Sequence, residues 1–184
     1  LRKVLPWTFR TFLIGSLALA GFPLLSGFFS KDEIIHHALS AHPLLGVMGL
    51  VTALLTAFYT FRLVFLAFFG PTRVPSGVHA HESGPWMLGP LVVLSVGAIG
   101  AGYIGAEGTN GFHAFLAPVF EHTFAAGNPE HALAVGEAAH VSFWSHYGLM
   151  IVSGAISIAG ILAAYFLYVQ QTWIPGLLKA TAPR

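Results

Sequence analysis

The residues of this chain best suited to chemistry are three consecutive charged side chains, Lys31, Asp32 and Glu33. They follow an apolar stretch, from Phe12 to Phe29, that contains no charged residue, and the 184-residue chain has only eight Lys and Arg in total. An ionisable side chain inside a bilayer is costly, and it commonly marks a proton relay, an ion path or a paired charge. We therefore take Lys31 as the leading candidate for proton transfer, with Asp32 beside it.

Two interpretations of this cluster remain open from the residues alone. In the first, the cluster begins a helix at the membrane interface, with Ser30 as N-cap and the two acidic residues at the positive end of the helix dipole. In the second, Lys31 lies beside a break in a membrane helix, where desolvation disfavours its charged form and a neighbouring carboxylate favours it. We prefer the second interpretation, because excess length and helix-breaking residues precede the cluster.

The composition indicates a membrane protein. Hydrophobic residues make up 55% of the chain and charged residues 8%, whereas a soluble domain carries about 25% charged residues. The net charge of +1 makes nucleic acid an unsuitable partner, and the absence of cysteine excludes disulfides, thiol catalysis and cysteine-bound metal or iron–sulfur centres. Neither a phosphate-binding loop nor a dinucleotide fingerprint is present, so we predict no cofactor and no metal on this chain.

Four segments are long and apolar enough to cross the membrane, which takes roughly 20 helical residues. They are Trp7–His42, Leu44–Phe69, Trp86–Ala106 and Trp144–Val169. The first is too long for one helix, because about 36 residues at 1.5 Å rise would make a rod of about 54 Å. It contains Pro23, and proline removes a backbone donor and clashes with the preceding turn. The predicted fold is an all-α polytopic bundle of about four spans, with the first span discontinuous near Gly21–Gly27.

The basic residues predict the orientation of these spans. They are concentrated at the start of the first span, after the second and after the fourth: Arg2, Lys3, Arg10, Arg73, Lys179 and Arg184. The connection 107–143 has no Lys or Arg, so the positive-inside rule puts both termini in the cytoplasm and this connection outside. Within it, His113–Phe124 has helical apolar spacing and is expected to lie on the membrane surface.

Several further residues are candidates for continuing a proton path. Glu33 is adjacent to the main pair, and His36 and His37 follow it on the same helix, where an imidazole titrates near neutrality. Arg62 is the charged residue of the second span, and it either snorkels to the interface or pairs within the bundle. The remaining histidines lie in polar loops, where we expect them to be solvated and not to bind metal.

Four short runs resemble the subunit L (chain 5) branch of the antiporter-like membrane subunits of NADH:quinone oxidoreductase, respiratory complex I. These runs are Leu1–Pro6, Ala18–Pro23, Gly27–Ile35 and Tyr59–Arg62. The family, which is shared with Mrp cation/proton antiporters, has a broken half-channel helix whose lysine handles the proton on the outer side. By motif position, that lysine is Lys31.

The resemblance implies that this chain is a C-terminal fragment supplying part of a proton half-channel. It implies about ten earlier membrane helices with another buried Glu and Lys, and a lateral helix and an anchor helix after the last span. It also implies a multi-subunit proton-pumping complex in the bacterial inner membrane, with no redox chemistry on this chain. The expected partners are a neighbouring antiporter-like subunit, the rest of its own subunit and lipid.

Two other functions remain as alternatives. A subunit of an Mrp-type cation/proton antiporter or a membrane-bound hydrogenase has the same fold, although the acidic pair after Lys31 favours complex I. A purely structural membrane bundle without an ion path is the alternative from a different class.

Overall fold

The computed structural model describes residues 1–70, 79–104, 115 and 143–170, and this part of the chain is helical with no β-strand. It contains five α-helices: α1 Pro6–Ala20, α2 Ser26–Ala41, α3 Pro43–Val64, α4 Pro85–Gly100 and α5 Phe143–Tyr165. Short extensions follow three of them: π-helical turns Phe65–Phe69 after α3 and Phe166–Gln170 after α5, and a 3₁₀ turn Ala101–Ile104 after α4. The connection predicted to lie outside, with its amphipathic piece, falls outside the described residues apart from Phe115 and Phe143, as do Arg73, Lys179 and Arg184.

Three of the helices, counted with their extensions, are long and apolar enough to cross a membrane. They are Pro43–Phe69, Pro85–Ile104 and Gly148–Gln170. The predicted class, an all-α polytopic membrane bundle, is thereby confirmed. At 15 and 16 residues, α1 and α2 are each too short to span alone.

α1 and α2 lie one after the other along α3. The ring of Phe9, in α1, is 5.1 Å from that of Phe68, beyond the C-terminal end of α3. At the other end of α3, Gly46 lies so close to Leu39 of α2 that an added Cβ would meet that side chain at 2.1 Å. The two short helices therefore run antiparallel to α3 as the halves of one discontinuous segment.

The break between these halves follows from two residues. α1 ends because Gly21 adopts a left-handed conformation, with φ of +79°, and donates its N–H to the carbonyl of Ala18. Pro23 follows within the break, where it cannot continue the helix. Leu24 also has a positive φ, +71°, which is uncommon for a residue with a side chain. The helical interruption thus occupies residues 21–25, inside the range that the sequence predicts.

The core of the bundle lies between α1, α3 and α5. Its buried members are Ala20, Ala57, Phe61, Val64, Phe65 and Ala164. Small residues allow the helices to approach closely, because a Cβ added to Gly160 of α5 would be 2.8 Å from the Leu54 carbonyl oxygen of α3. This packing places α5 directly beside the helix break.

Candidate functional site

Lys31 connects the two halves of the broken segment. Its Nζ donates to the carbonyl oxygens of Leu19 and Ala20, each at 3.2 Å. These are the last carbonyls of α1, at the partially negative end of the helix dipole. In a continuous helix the Leu19 carbonyl would accept from the N–H of residue 23, but Pro23 has none. The half-buried Lys31 therefore caps a helix end that Pro23 leaves without its usual donor.

The interpretation with Ser30 as N-cap is wrong. α2 begins at Ser26, after Leu25 in an extended conformation, and no side chain caps it. The hydroxyl of Ser30 donates instead to the carbonyl of Ser26 within the helix, at 3.5 Å. Lys31 consequently lies in the second turn of α2, where its side chain reaches back to α1.

Glycine at position 21 leaves the space that Lys31 occupies. A Cβ at Gly21 would lie 3.3 Å from Cδ and 3.4 Å from Nζ of Lys31, and 3.3 Å from the hydroxyl oxygen of Ser157. Ser157 belongs to α5 and is 1% exposed. The lysine, the end of α1 and a buried serine of α5 therefore meet at one point.

Asp32, the next residue, is held by α5. Its side chain is 2% exposed, and its Oδ1 accepts from the hydroxyl of Ser153 at 2.8 Å. Ser153 and Ser157 are four residues apart and so share a face of α5. One face of α5 thus presents two hydroxyls to the Lys31–Asp32 pair.

The remaining acidic and histidine candidates lie further along α2. Oε1 of Glu33 is 3.7 Å from Nε2 of His37, and these side chains are 47% and 75% exposed. The rings of His36 and His37 are in edge-to-face contact, with centroids 5.8 Å apart. These residues form a group of their own towards the C-terminal part of α2, and their part in a proton path stays a prediction.

Arg62 contacts the π-helical turn that follows α5. Its guanidinium lies over the ring of Tyr168, 5.5 Å from the centroid. Tyr168 follows Ser157 by eleven residues, which is about 16 Å along a helix at 1.5 Å per residue. The structure therefore does not bring Arg62 to the Lys31 site through this contact.

Glu82, which the sequence analysis did not single out, holds the other end of α1. Its carboxylate accepts from the backbone N–H groups of Trp7, at 3.0 Å, and Thr8, at 3.1 Å, and from the Thr8 hydroxyl. The Thr8 hydroxyl is the main cause that lowers the pKa of Glu82 from its usual 4.5, and the two N–H groups add to it while burial opposes it. Leu5, the N-cap residue, makes no side-chain hydrogen bond, so Glu82 supplies this cap.

A cavity of about 510 Å³ separates α1, α3 and α4. Thr60 is one of its lining residues, and the Thr60 hydroxyl is buried without a hydrogen-bond partner among the described residues. Neither Lys31 nor Asp32 lines this cavity. The candidate site is therefore the junction of α1, α2 and α5.

A polytopic helix bundle with a lysine at a broken helix has the architecture of ion-transporting membrane proteins. A family model described as "NADH:quinone oxidoreductase/Mrp antiporter, TM" matches residues 1–56, which include Lys31 and Asp32. The chain is 39% identical, over 95% of its length, to NAD(P)H-quinone oxidoreductase subunit 5, organellar chromatophore 1, of Paulinella chromatophora. It is 35% identical, over its full length, to NAD(P)H-quinone oxidoreductase chain 5 of Picosynechococcus.

NADH-quinone oxidoreductase subunit L of Pseudomonas aeruginosa is 38% identical over 98% of the chain. The chain covers 27%, 29% and 26% of these three proteins, so it spans about a quarter of the length of the curated relatives it matches. The resemblance that the four runs predict is confirmed, and it extends beyond them over almost the whole chain. The chain is a relative of the antiporter-like subunit L and chain 5 proteins of NADH:quinone oxidoreductase.

Proposed function

We propose that this chain is part of a proton-translocating, antiporter-like membrane subunit of an NADH:quinone oxidoreductase, and that Lys31 is its proton-transferring group. The observation that carries the proposal is the pair of hydrogen bonds from Lys31 to the end of α1. A lysine ammonium has three N–H donors. After it gives up one proton, the neutral amine keeps two, which is the number of carbonyls it binds here. Lys31 can therefore change its charge without abandoning either acceptor.

The basic residues and the relatives support the membrane setting that we propose. Arg2, Lys3 and Arg10 surround the start of α1, and by the positive-inside rule this favours the cytoplasmic side for this end. We propose the bacterial inner membrane as the location, with both termini cytoplasmic. The partners are the other subunits of the complex, above all a neighbouring antiporter-like subunit, together with the upstream part of this subunit and lipid. In this proposal the redox chemistry takes place on other chains.

A second candidate follows from the family description, which also names Mrp antiporters. In that case Lys31 would serve exchange of a cation for protons without quinone reduction. The two candidates differ in what drives transport, since one needs electron transfer and the other a cation gradient. Proton uptake in membrane vesicles, driven by NADH oxidation or by an imposed sodium gradient, separates them.

The test of the proposal is replacement of Lys31 in the intact assembly. We expect Lys31→Ala and Lys31→Met to assemble, as judged by the amount of complex in the membrane, and to lower the number of protons taken up per electron transferred to quinone. Lys3→Ala is the matched control, because Lys3 is exposed ahead of α1. A wild-type ratio of protons to electrons in Lys31→Ala would make the lysine a helix cap only and would refute the proposal.

A further inference from the structure

We propose that Ser153 is the positioning residue that lets Asp32 take up and release a proton in place. This inference rests on the proposed function and extends it to α5. It assigns a role in proton transfer to a helix that follows the site by more than a hundred residues and lies outside the part matched by the family model.

The hydroxyl of Ser153 has two acceptors within reach. It lies 2.8 Å from Oδ1 of Asp32 and 3.2 Å from the carbonyl oxygen of Met150, one turn earlier in α5. Ser153 and Asp32 are 3% and 2% exposed, so bulk water does not compete for this contact. A serine hydroxyl has a single hydrogen and two lone pairs. It can therefore donate to only one of the two acceptors at full strength while remaining an acceptor itself.

Ser153 donates to a different one of these two acceptors in each charge state of Asp32. When the carboxylate is ionised, Ser153 donates to it, and a hydrogen bond to a charged acceptor is the stronger of the two options. When Asp32 is protonated, its own O–H donates to the Ser153 oxygen, and the serine hydrogen turns to the Met150 carbonyl. Both states keep the contact paired without movement of a heavy atom, which matters because a buried polar group left unpaired is costly.

The proton balance is simple. An O–H bond forms on Asp32 when a protonated water or amine of the path delivers a proton, and the same bond breaks when Asp32 passes it on. Ser153 keeps its own hydrogen throughout and only reverses the direction of its hydrogen bond. Its role is therefore to position and balance Asp32, not to carry the proton.

Close packing fixes Ser153 in reach of Asp32. A Cβ added at the next residue, Gly154, would meet Phe28 of α2 at 3.3 Å and Pro23 of the break at 3.4 Å. Glycine at this position lets the backbone of α5 approach both side chains, and this close approach holds Ser153 beside Asp32. A hydroxyl placed in this way gives the carboxyl a partner whose geometry does not change with its charge.

Three variants of Ser153 in the intact complex, with a matched control, test this inference. Ser153→Ala removes the hydroxyl, Ser153→Cys keeps a similar size with a weak donor, and Ser153→Thr keeps the hydroxyl. Ser95→Ala is the matched control, because Ser95 is also buried, at 7% exposure, but its hydroxyl donates to the Val92 carbonyl of its own helix at 2.8 Å. The readouts are protons taken up per electron in vesicles, and the infrared carboxyl band that Asp32→Asn abolishes.

We expect Ser153→Ala and Ser153→Cys to shift this carboxyl band and to lower the proton-to-electron ratio at least twofold. Ser153→Thr and Ser95→Ala should keep wild-type values. Adding Ser153→Ala to Asp32→Asn should cause no further loss, because the two residues act as one unit.

An unshifted band with a wild-type ratio in Ser153→Ala would overturn the inference, and so would additive losses in the double variant. If Ser153→Thr does not assemble, the inference is judged from Ser153→Cys and from the position of the Asp32 carboxyl band. The outcome for Lys31→Ala keeps the two proposals apart. If Lys31→Ala takes up protons at the wild-type ratio, the proposed function is refuted. If Lys31→Ala loses proton uptake while Ser153→Ala keeps the wild-type ratio and carboxyl band, only the role of Ser153 is refuted.

Discussion

Glu82 and Lys31 bind opposite ends of the same helix. The carboxylate of Glu82 accepts from the first N–H groups of α1, and the ammonium of Lys31 donates to its last carbonyls. Each charge has the sign that the helix dipole favours at that end. α1 has no acidic residue in its first turn and no basic residue in its last. Two charges from outside α1 therefore bind the helix ends at which α1 carries no charge of its own.

Replacement of Glu82 should loosen the start of α1. In Glu82→Ala the backbone N–H groups of Trp7 and Thr8 lose their acceptor, so we expect their amide hydrogen exchange to rise severalfold. Glu82→Gln keeps one carbonyl acceptor without the charge and should have an intermediate effect. His79→Ala, at an exposed position of the same segment, serves as control. Unchanged exchange at both amides in Glu82→Ala would show that the carboxylate does not cap α1.

The cap should also depend on pH. The folded structure lowers the pKa of Glu82 below 4.5, so the ionised carboxylate stabilises the folded state. This contribution is complete above pH 4.5 and is lost as the pH falls through the lower folded pKa. Protection of the Trp7 and Thr8 amides should decrease in that acidic window in the wild type. In Glu82→Gln the same window should show no such decrease from this group.

A side chain at position 21 should disturb the lysine. Alanine in the left-handed conformation costs about 1–2 kcal/mol, and its Cβ would press on Lys31 and Ser157. We expect Gly21→Ala to lower the free energy of unfolding by about that amount and to reduce proton uptake. Gly15→Ala is the control, since a Cβ there meets nothing within 4 Å and should stabilise α1 by roughly 0.5–1 kcal/mol. Equal proton uptake in both variants would contradict the expected crowding.

A side chain at position 31 that is charged but cannot release a proton should restore only part of the proton transport. Lys31→Arg keeps a cation for the α1 carbonyls, but a guanidinium stays protonated at any accessible pH. We expect it to assemble as well as the wild type and to transport fewer protons per electron. Full transport by Lys31→Arg would mean that the position needs only a fixed positive charge.

Neutralising the adjacent carboxyl should have a milder effect than removing the lysine. Asp32→Asn keeps a side chain that can accept from Ser153, but it can no longer exchange a proton. We expect a lower proton-to-electron ratio than in the wild type and a higher one than in Lys31→Ala, measured in the same vesicles. An Asp32→Asn variant as inactive as Lys31→Ala would make Asp32 an equal partner in the transfer.

The sequence predicts those parts of the fold that depend on the backbone properties of individual residues. Gly21 and Pro23 interrupt a helix through their own backbone chemistry, so the break lies where it was expected. The alternative that we did not prefer, with Ser30 as N-cap, is wrong, because the chain already turns into a helix at Ser26.

The partners of the site could not be predicted in the same way. Ser153 is 121 residues from Asp32, and Glu82 is 74 residues from Thr8. Such pairs depend on how the helices pack and not on local pattern. The one available signal is the four-residue spacing of Ser153 and Ser157 within an apolar part of α5.

Pro23 has no backbone N–H to donate to the Leu19 carbonyl, and Lys31, eight residues after the proline, donates to that oxygen instead. A chain with any other residue at 23 could offer its own amide to Leu19 and would compete with the ammonium for that oxygen. We therefore expect positions 23 and 31 to covary among relatives. Among relatives in which this lysine is replaced, substitutions of the proline should be tolerated more often than among those that keep it, which a covariation survey can measure.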